Sequence, residues 1–285
     1  TGRRHETGDL DALRTKLARV VESQRGSRYA EVAWSPRTEI LAADNADVFC
    51  GGAHLLFDDP SKVTRSRDDT EGHLLPQFAA LDLSLDRELL IVSPYFIPGD
   101  AGADWLARLV RRGLSVTVLT NSLASTNVPM VHSAYKRYRG ALVEGGVRIY
   151  ELRPDAFAVE QDDDSEEHLD TAEAALHAKT FFFDRRQIFI GSLNLDPRAI
   201  QLNTEIGIVC ESKAMTEALL GRLEPRLQRI AWRVERIVDD SGTPRIVWLE
   251  TGEQGIRQRP DEPQVSAWRR LQVWFFWLLP IESQL

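Results

Sequence analysis

The sequence predicts an α/β fold, with a mixed, mostly parallel sheet flanked by helices and helical extensions at both ends. Between residues 88 and 150, short apolar segments that suit buried strands alternate with amphipathic segments that suit helices. Such strand–helix alternation is typical of parallel βαβ units. The composition also fits a globular protein, since 43% of the 285 residues are hydrophobic and 27% are charged.

Hydrophobic periodicity places the individual elements along the chain. Leucines and valines recur at helical spacing over residues 9–25, after Asp9 as a predicted N-cap. Further helices are predicted at residues 74–83, 102–112, 129–144 and 213–231. Strands are predicted at residues 47–57, 88–93, 115–120, 147–150, 176–183, 187–191, 204–210, 234–238 and 245–249.

Three regions follow from these elements. Residues 1–72 form an N-terminal helix and linker region. Residues 73–231 form the central α/β region, which contains the motif described below. Residues 232–285 hold a hairpin and an apolar, tryptophan-rich helix. The acidic stretch from Glu160 to Asp170 is expected to be a solvated loop. A metal-binding or regulatory role is the alternative for that stretch.

Charge and cysteine content narrow the class of protein. The formal net charge is −8 and the isoelectric point is about 5.4, which disfavours non-specific attraction to nucleic acids. Cys50 and Cys210 lack the spacing of a zinc site or a disulfide scaffold, so we expect buried thiols in a reducing compartment. No apolar run approaches the roughly 20 residues that a membrane span needs.

The segment that follows the acidic stretch is the most informative about chemistry. Alternate residues of a strand point to the same face, so His177 and Lys179 are expected side by side around one small anion. The next hairpin would return Gly191, Ser192 and Asn194 beside them. Gly191 permits close backbone approach, and the two polar side chains can donate hydrogen bonds to phosphate oxygens.

This group of residues suits displacement at a phosphodiester. Lys179 can stabilise negative charge that spreads over the phosphate oxygens. A neutral imidazole nitrogen of His177 can attack phosphorus and divide the displacement into two steps. The imidazole then needs a carboxylate to fix its tautomer, and Glu205 on the next strand is the predicted partner. This chemistry requires no metal and no organic cofactor.

The pattern H-x-K-x(4)-D-x(6)-G-S-x-N, which begins at His177, occurs without departure. It is the signature of the phospholipase D superfamily, which this chain therefore resembles. Segments over nearly the whole chain are similar to the C-terminal half of bacterial cardiolipin synthases of the C type. The most specific part is residues 115–207. The resemblance implies a phospholipase D-like domain that transfers phosphatidyl groups through a phosphohistidine, forming cardiolipin from lipids of the phosphatidylglycerol or phosphatidylethanolamine class.

The resemblance also assigns residues to roles. The catalytic positions it implies are His177, Lys179, Asp184 and Glu205. The positions it implies for binding the substrate phosphate are Lys179, Ser192 and Asn194. Asp184, however, is predicted at a turn and on the strand face opposite Lys179. We therefore expect a structural role for Asp184 rather than proton transfer.

Enzymes of this family combine two such motifs, and the second histidine serves as general acid and then as base. No other histidine of the chain is followed by lysine two residues later. We expect the second motif to come from a missing N-terminal half or from a second chain across a twofold interface. The start at Thr1 without methionine favours the missing half. Alone, the chain is expected to have little or no phosphatidyltransferase activity.

Two surface features bear on lipid contact. One face of the helix at 129–144 carries His132, Tyr135, Lys136 and Arg139. It is expected to be either a headgroup-binding surface or a solvated helix face. The C-terminal helix begins at Trp268 beside Arg269 and Arg270, a pattern that suits a membrane interface or packing against a missing domain.

The expected location is peripheral, at the cytoplasmic face of the bacterial inner membrane, with phospholipids and the membrane surface as partners and no nucleic acid. The main alternatives are a hydrolytic phospholipase D or a nuclease of the same superfamily. A non-catalytic membrane-binding half is the alternative from another functional class.

Overall fold

The computed structural model describes residues 14–20, 22, 51–66, 69–83, 85–156, 174–252 and 255–279. The chain divides into two compact units, Thr1–Phe49 and Cys50–Leu285. In the first unit, residues 14–20 are helical, within the helix predicted there. The division differs from the predicted boundary at residue 72, because residues 52–57 already belong to the sheet of the second unit. Cys50 and the acidic stretch at 160–170 lie outside the described residues, and Cys210 is a half-buried free thiol.

The described part of the second unit contains ten strands in one continuous sheet. In chain order, β1 to β10 are Gly52–Phe57, Glu88–Val92, Ser115–Asn121, Arg148–Leu152, Thr180–Phe183, Gln187–Gly191, Ile206–Glu211, Ala231–Val238, Pro244–Gly252 and Gly255–Arg259. Their order across the sheet is β1-β7-β6-β5-β2-β3-β4-β8-β9-β10.

Helices cover both faces of this sheet. Among the described residues of the second unit, α1 to α6 are Leu74–Ala79, Gly99–Arg111, Pro129–Glu144, Pro197–Gln201, Lys213–Ile230 and Ala267–Trp277. A short 3-10 helix spans Pro60–Thr64. The 3-10 helix, α4 and β10 were not predicted, because each is short and lacks the apolar run that marks the other short elements.

Only the centre of the sheet is parallel. β2 pairs with β3 and β3 with β4 in parallel, and α2 and α3 connect these strands. The other pairings among the described strands are antiparallel. The prediction of a mixed sheet flanked by helices is confirmed, but the prediction that it is mostly parallel is wrong. Short turns join β5 to β6 and β8 to β9, and such turns connect antiparallel strands.

Alternation along β5 divides the core between the two faces of the sheet. Phe181 and Phe183 point to one face, where Phe78 of α1 packs against both rings. Phe182 points to the other face, where it joins Ile188 and leucines of α5. The strand is therefore covered on both sides, and its position in the sheet is strongly specified.

A buried polar network holds the helix face that was predicted to meet lipid headgroups or solvent. Tyr135 and Arg139 both donate to Glu151, at 2.9 and 3.1 Å, and Arg139 also donates to Glu262 at 2.9 Å. His132 lies 3.2 Å from the same Glu262 carboxylate. Both expectations are wrong for His132, Tyr135 and Arg139, which are buried beneath the segment before α6, whereas Lys136 of the same face remains exposed. Burial opposes ionisation of Glu262, yet the contact with His132 and the charge of Arg139 lower its pKa.

Candidate active site

With the exception of Asp184, the predicted site residues lie together beyond the carboxyl ends of β2 and β3. β5 runs antiparallel to β2 and pairs Thr180 with Val92. The segment that enters β5 therefore lies beside the segment that leaves β2. Ligand sites of open α/β sheets gather at such strand ends, where loops converge.

His177 and Lys179 lie in the extended segment 174–179, immediately before β5 rather than within it. Nζ of Lys179 is 3.4 Å from Nδ1 of His177 and donates to the His177 carbonyl oxygen at 2.8 Å. His177 is exposed, whereas Lys179 keeps only 9% of its surface accessible. The structure thus brings the imidazole and the amine together and leaves the imidazole open to solvent.

Two carboxylates influence the charge of Lys179. Burial lowers the pKa of Lys179, while the charges of Glu205 and Asp196 oppose that lowering. Asp196 is itself 3% exposed, and burial raises its pKa to about 6. The sequence interpretation did not identify Asp196 as a site residue. It precedes Pro197 at the start of α4 and accepts the Ala199 N–H at 2.7 Å, an N-cap pattern that could have located it.

Glu205 contacts Ser192 rather than His177. The Ser192 hydroxyl donates to the Glu205 carboxylate, and the N–H of Ile206 donates to the Ser192 oxygen at 3.0 Å. In the described part of the chain no hydrogen bond joins Glu205 to His177. The N–H of Ser192 also donates within the protein, to the Ile206 carbonyl oxygen at 2.8 Å. Both donors of Ser192 are therefore engaged, and a phosphate contact requires its hydroxyl to rotate away from Glu205.

Gly191 permits close approach of two strands. It pairs with Gly207 of β7, and an added Cβ on Gly191 would lie 2.6 Å from the Ile206 carbonyl oxygen. A Cβ on Gly207 would lie 2.2 Å from the Phe189 ring. The glycine therefore acts as the sequence predicted, by allowing close backbone contact, but the contact is with the neighbouring strand.

Asn194 lies in the segment that follows β6. The adjacent Leu195 accepts from the Ile97 N–H at 2.6 Å, and its own N–H donates to Ser93 at 3.2 Å. These bonds tie the segment to the residues after β2. The buried Oδ1 atom of Asn194 accepts no hydrogen bond from the described residues. Such an unsatisfied polar atom is rare in a folded interior, and a role in catalysis or ligand binding is one explanation for it.

Asn121 fixes the backbone immediately before His177. It is the last residue of β3, and its amide hydrogen-bonds both the N–H and the carbonyl oxygen of Leu176. The same amide also donates to the carbonyl oxygen of Pro94 at 3.3 Å. The sequence interpretation did not assign Asn121 a role, although a polar residue at the carboxyl end of a buried parallel strand is a recognisable signal.

A buried ion pair between Lys62 and Asp58 supports the backbone around Glu205. Lys62 donates to the Asp58 carboxylate at 2.8 Å, and both side chains are almost fully buried. Asp58 also accepts the N–H groups of Glu205 and Leu74, each at 2.7 Å. Lys62 donates in turn to the carbonyl oxygen of Ala199 in α4, at 3.1 Å. The pair joins β1, β7, α1 and α4, and so it positions the backbone of Glu205.

Asp184 lies away from these residues, at the turn between β5 and β6. Its carboxylate accepts the N–H groups of Asp86, Arg87 and Glu88 at 2.8 to 2.9 Å. Burial would raise the pKa of Asp184, but these backbone donors prevail and lower it. The whole of β5 separates Asp184 from Lys179. The structure therefore does not place Asp184 among the catalytic groups, and it agrees with the structural role expected for this residue.

Comparison with known proteins identifies the family. Residues 83–226 match the family described as "Cardiolipin synthase, PLD-like domain". Cardiolipin synthase C of Escherichia coli strain K12 is 38% identical over 253 residues, which cover 87% of this chain and 51% of that protein. Cardiolipin synthase B of Salmonella typhi is 28% identical over 182 residues, which cover 64% of this chain and 37% of that protein. The chain thus spans about half the length, or less, of these curated relatives.

Among solved structures, a phospholipase D family member from Salmonella typhimurium aligns with 65% of this chain and 99% of its own, at 14% identity and a TM-score of 0.44. The assignment of this chain to a family rests on the family match over residues 83–226, and not on this structural similarity. The family match spans half of the chain and includes every site residue from Asn121 to Glu205. The chain therefore belongs to the cardiolipin synthase family with a phospholipase D-like domain.

Proposed function

We propose that this chain supplies one half-site of a phosphatidyltransferase that acts on phospholipid phosphodiesters through a phosphohistidine at His177. The observation that carries the proposal is the 3.4 Å distance between Nζ of Lys179 and Nδ1 of an exposed His177. A phosphate oxygen bound to that ammonium would hold phosphorus beside the imidazole ring. The synthase names of the relatives support transfer to an alcohol over hydrolysis.

In the proposed first step, the free ring nitrogen of His177 attacks phosphorus. A nitrogen–phosphorus bond forms, the bond from phosphorus to the leaving alkoxide breaks, and the alkoxide takes a proton from a general acid. In the second step an acceptor hydroxyl attacks phosphorus, loses its proton to the same group, and releases His177. Lys179 stabilises the negative charge on the phosphate oxygens in both steps. The products are a new phosphodiester, of the cardiolipin type, and a small alcohol.

The remaining polar side chains assist this chemistry in our proposal. The amide of Asn194, whose Oδ1 atom has no partner among the described residues, would present its NH₂ group to a phosphate oxygen after an amide rotation. Ser192 would donate its hydroxyl proton to the phosphate when it leaves Glu205. The freed carboxylate of Glu205 could then accept the second ring nitrogen's proton from His177 and fix its tautomer.

We propose that the general acid comes from a second histidine–lysine motif outside this chain. No second H-x-K sequence occurs in its 285 residues. Either an N-terminal half of a longer protein or a second copy of the chain could supply the group, and the measured mass of the active species would separate them. The substrates would be phospholipids of the phosphatidylglycerol or phosphatidylethanolamine class. Incubation with labelled phosphatidylglycerol or with single-stranded DNA would separate this activity from that of a nuclease.

We further propose that α6 contacts the membrane surface, peripherally and at the cytoplasmic face. The helix exposes a run of large apolar side chains, between 49% and 67% accessible. They are Trp268, Leu271, Trp274, Phe275, Trp277 and Leu278. Trp-rich apolar helix faces suit the interface between headgroups and acyl chains. Arg269 and Arg270 donate to the carbonyl oxygens of Thr126 and Glu262 and so anchor the helix.

No described helix has the length and apolar character to span a membrane.

A substrate with a good leaving group tests the half-site alone. Bis(p-nitrophenyl) phosphate releases p-nitrophenolate without protonation, so the missing general acid is not needed for the first step. We expect a burst of at most one nitrophenolate per chain and a phosphorylated peptide that contains His177. The His177→Ala variant should show neither, whereas His54→Ala, which alters another exposed histidine, should match the unaltered chain. An equal burst from His177→Ala, or a phosphorylated residue elsewhere, would contradict the proposal.

A further inference from the structure

An apolar groove of about 490 Å³ opens beside His177. Leu219 and Leu223, four residues apart on α5, form one wall, and Phe182 and Ile188 of the sheet contribute to its floor. Its lining among the described residues includes no charged side chain, and His177 and Thr180 are its polar members. The proposed nucleophile therefore lies in the wall of a groove that has almost no means of binding a polar ligand.

We infer that this groove binds an acyl chain of the phosphatidyl group that is transferred, an inference that rests on the proposed function. During two-step transfer, the departing alcohol leaves and the acceptor enters, but the phosphatidyl group stays bonded to the histidine. A transferase of this kind must hold that group through both steps. The retained group of a phospholipid is apolar, and the retained group of a nucleic acid would be a charged, polar nucleotide. The lining beside His177 matches the lipid.

The position of the groove distinguishes it from a second apolar cavity. That cavity, of about 550 Å³, lies on the opposite face of the sheet, where Phe78 of α1 and Trp105 of α2 contribute to its lining. His177 does not line it. A chain joined to a phosphate at His177 would enter the first space directly. The exposed Ala175 lines the groove and the exposed Ala79 lines the second cavity, which provides a matched pair of variants.

Chain-length dependence of binding tests the inference. Lysophosphatidylglycerols with hexanoyl, octanoyl and decanoyl chains would be titrated calorimetrically into the full chain, each below its critical micelle concentration. Each methylene that enters the groove should tighten binding about fourfold. In Ala175→Trp, whose indole fills the groove, the dependence on chain length should disappear. In Ala79→Trp it should remain as in the unaltered chain.

Two results would overturn the inference: an unchanged chain-length dependence in Ala175→Trp, or its loss in Ala79→Trp. Leu223→Gln, which places an amide in the groove wall, is a second variant that should weaken the dependence. Circular dichroism of each variant would establish that it folds, and if Ala175→Trp does not fold, the result from Leu223→Gln decides.

The nitrophenolate burst separates this inference from the proposed function, because bis(p-nitrophenyl) phosphate carries no acyl chain. Binding that depends on chain length through Ala175, without phosphorylation of His177, would leave the groove as a lipid site and remove the proposed function. Phosphorylation of His177 with no dependence of lipid binding on chain length would support the proposed function and remove the groove as an acyl-chain site.

Discussion

The side-chain amide of Asn121 binds both backbone groups of Leu176: its Oδ1 atom accepts the N–H at 2.9 Å, and its Nδ2 group donates to the carbonyl oxygen at 3.1 Å. We call these two hydrogen bonds the Asn121 clamp. Because Leu176 directly precedes His177, the clamp fixes the backbone from which the imidazole projects. β5 begins only at Thr180, and the bond from the segment to β6 lies at Lys179, whose carbonyl oxygen accepts the Gly191 N–H at 3.1 Å; Leu176 precedes both. Its position therefore depends on a side chain from β3.

We predict that Asn121→Ala slows formation of the phosphohistidine by at least about tenfold, because small displacements of a reacting group are costly. The loss of hydrogen bonds should lower the free energy of unfolding by only about 1–3 kcal/mol. The burst rate and urea denaturation would measure the two effects. Asn127→Ala, at an exposed position of the loop that follows β3, is the matched control and should alter neither. A burst of normal rate in Asn121→Ala would contradict the clamp's importance.

Asp184→Asn should reduce stability rather than chemistry. An amide oxygen accepts the three N–H groups less strongly than a carboxylate, and we expect a loss of about 1.5–3 kcal/mol in the free energy of unfolding. Asp184 has a φ of 48°, which asparagine also tolerates, so backbone strain does not confuse the comparison. The rate of the burst in the folded fraction should remain within about twofold of the unaltered chain. A catalytic role for Asp184 would instead abolish the burst without loss of stability.

The contribution of Asp184 to the free energy of unfolding is expected to decrease as the pH falls. Its pKa in the folded state is lowered below the usual 3.8, so the folded carboxylate contributes stability above pH 3.8. That contribution disappears as the pH falls through the lowered pKa. The difference in unfolding free energy between the unaltered chain and Asp184→Asn should therefore shrink on acidification.

Asp196 should show the opposite dependence. Its pKa is raised from 3.8 to about 6, so the folded state binds a proton more tightly than the unfolded state between these values. Stability from this residue is fully present below pH 3.8 and falls as the pH rises towards 6, by on the order of 3 kcal/mol. Asp196→Asn keeps the N-cap of α4 and should remove this dependence. Identical pH profiles of urea denaturation for the two proteins would contradict the prediction.

Replacement of two exposed tryptophans tests the lipid contact of α6. Trp274→Ser combined with Trp277→Ser should weaken co-sedimentation with phosphatidylglycerol vesicles by at least about tenfold, because each indole buries apolar surface worth about 2 kcal/mol. Trp105→Ser changes a comparably exposed tryptophan of α2 and is the matched control. Unchanged binding of the double variant would remove α6 as the contact surface.

The closeness of His177 and Lys179 could be predicted from sequence, because side chains two residues apart in any extended segment point the same way. The roles of Asn121 and Asp58 could not. Each acts on a backbone group far away in the chain, and periodicity contains no information about such pairings. The face of α3 shows the same limit. Helical spacing grouped Tyr135 with Arg139, but only the fold shows that Glu151 and Glu262 cover them.

The direction of the sheet was mispredicted for a related reason. Apolar segments reveal buried strands but not their partners. The sequence therefore predicted a mostly parallel sheet, although it placed β5 and β6, and β8 and β9, in hairpins. The antiparallel pairing of β5 with β2 brings the start of β5 to the carboxyl end of β2. This antiparallel direction places the residues before Thr180 beyond the carboxyl ends of β2 and β3, where the other site residues lie.

The carboxylate of Asp58 holds the N–H of Glu205 from 147 residues earlier in the chain. The H-x-K segment therefore cannot be transferred to another protein without the residues near Asp58 that support it. A truncation that starts at residue 73, the boundary suggested by periodicity, would keep the nucleophile but discard both Asp58 and Lys62. A minimal engineered version of this half-site has to begin at or before Gly52, so that it keeps the edge strand β1 and the ion pair that follows it.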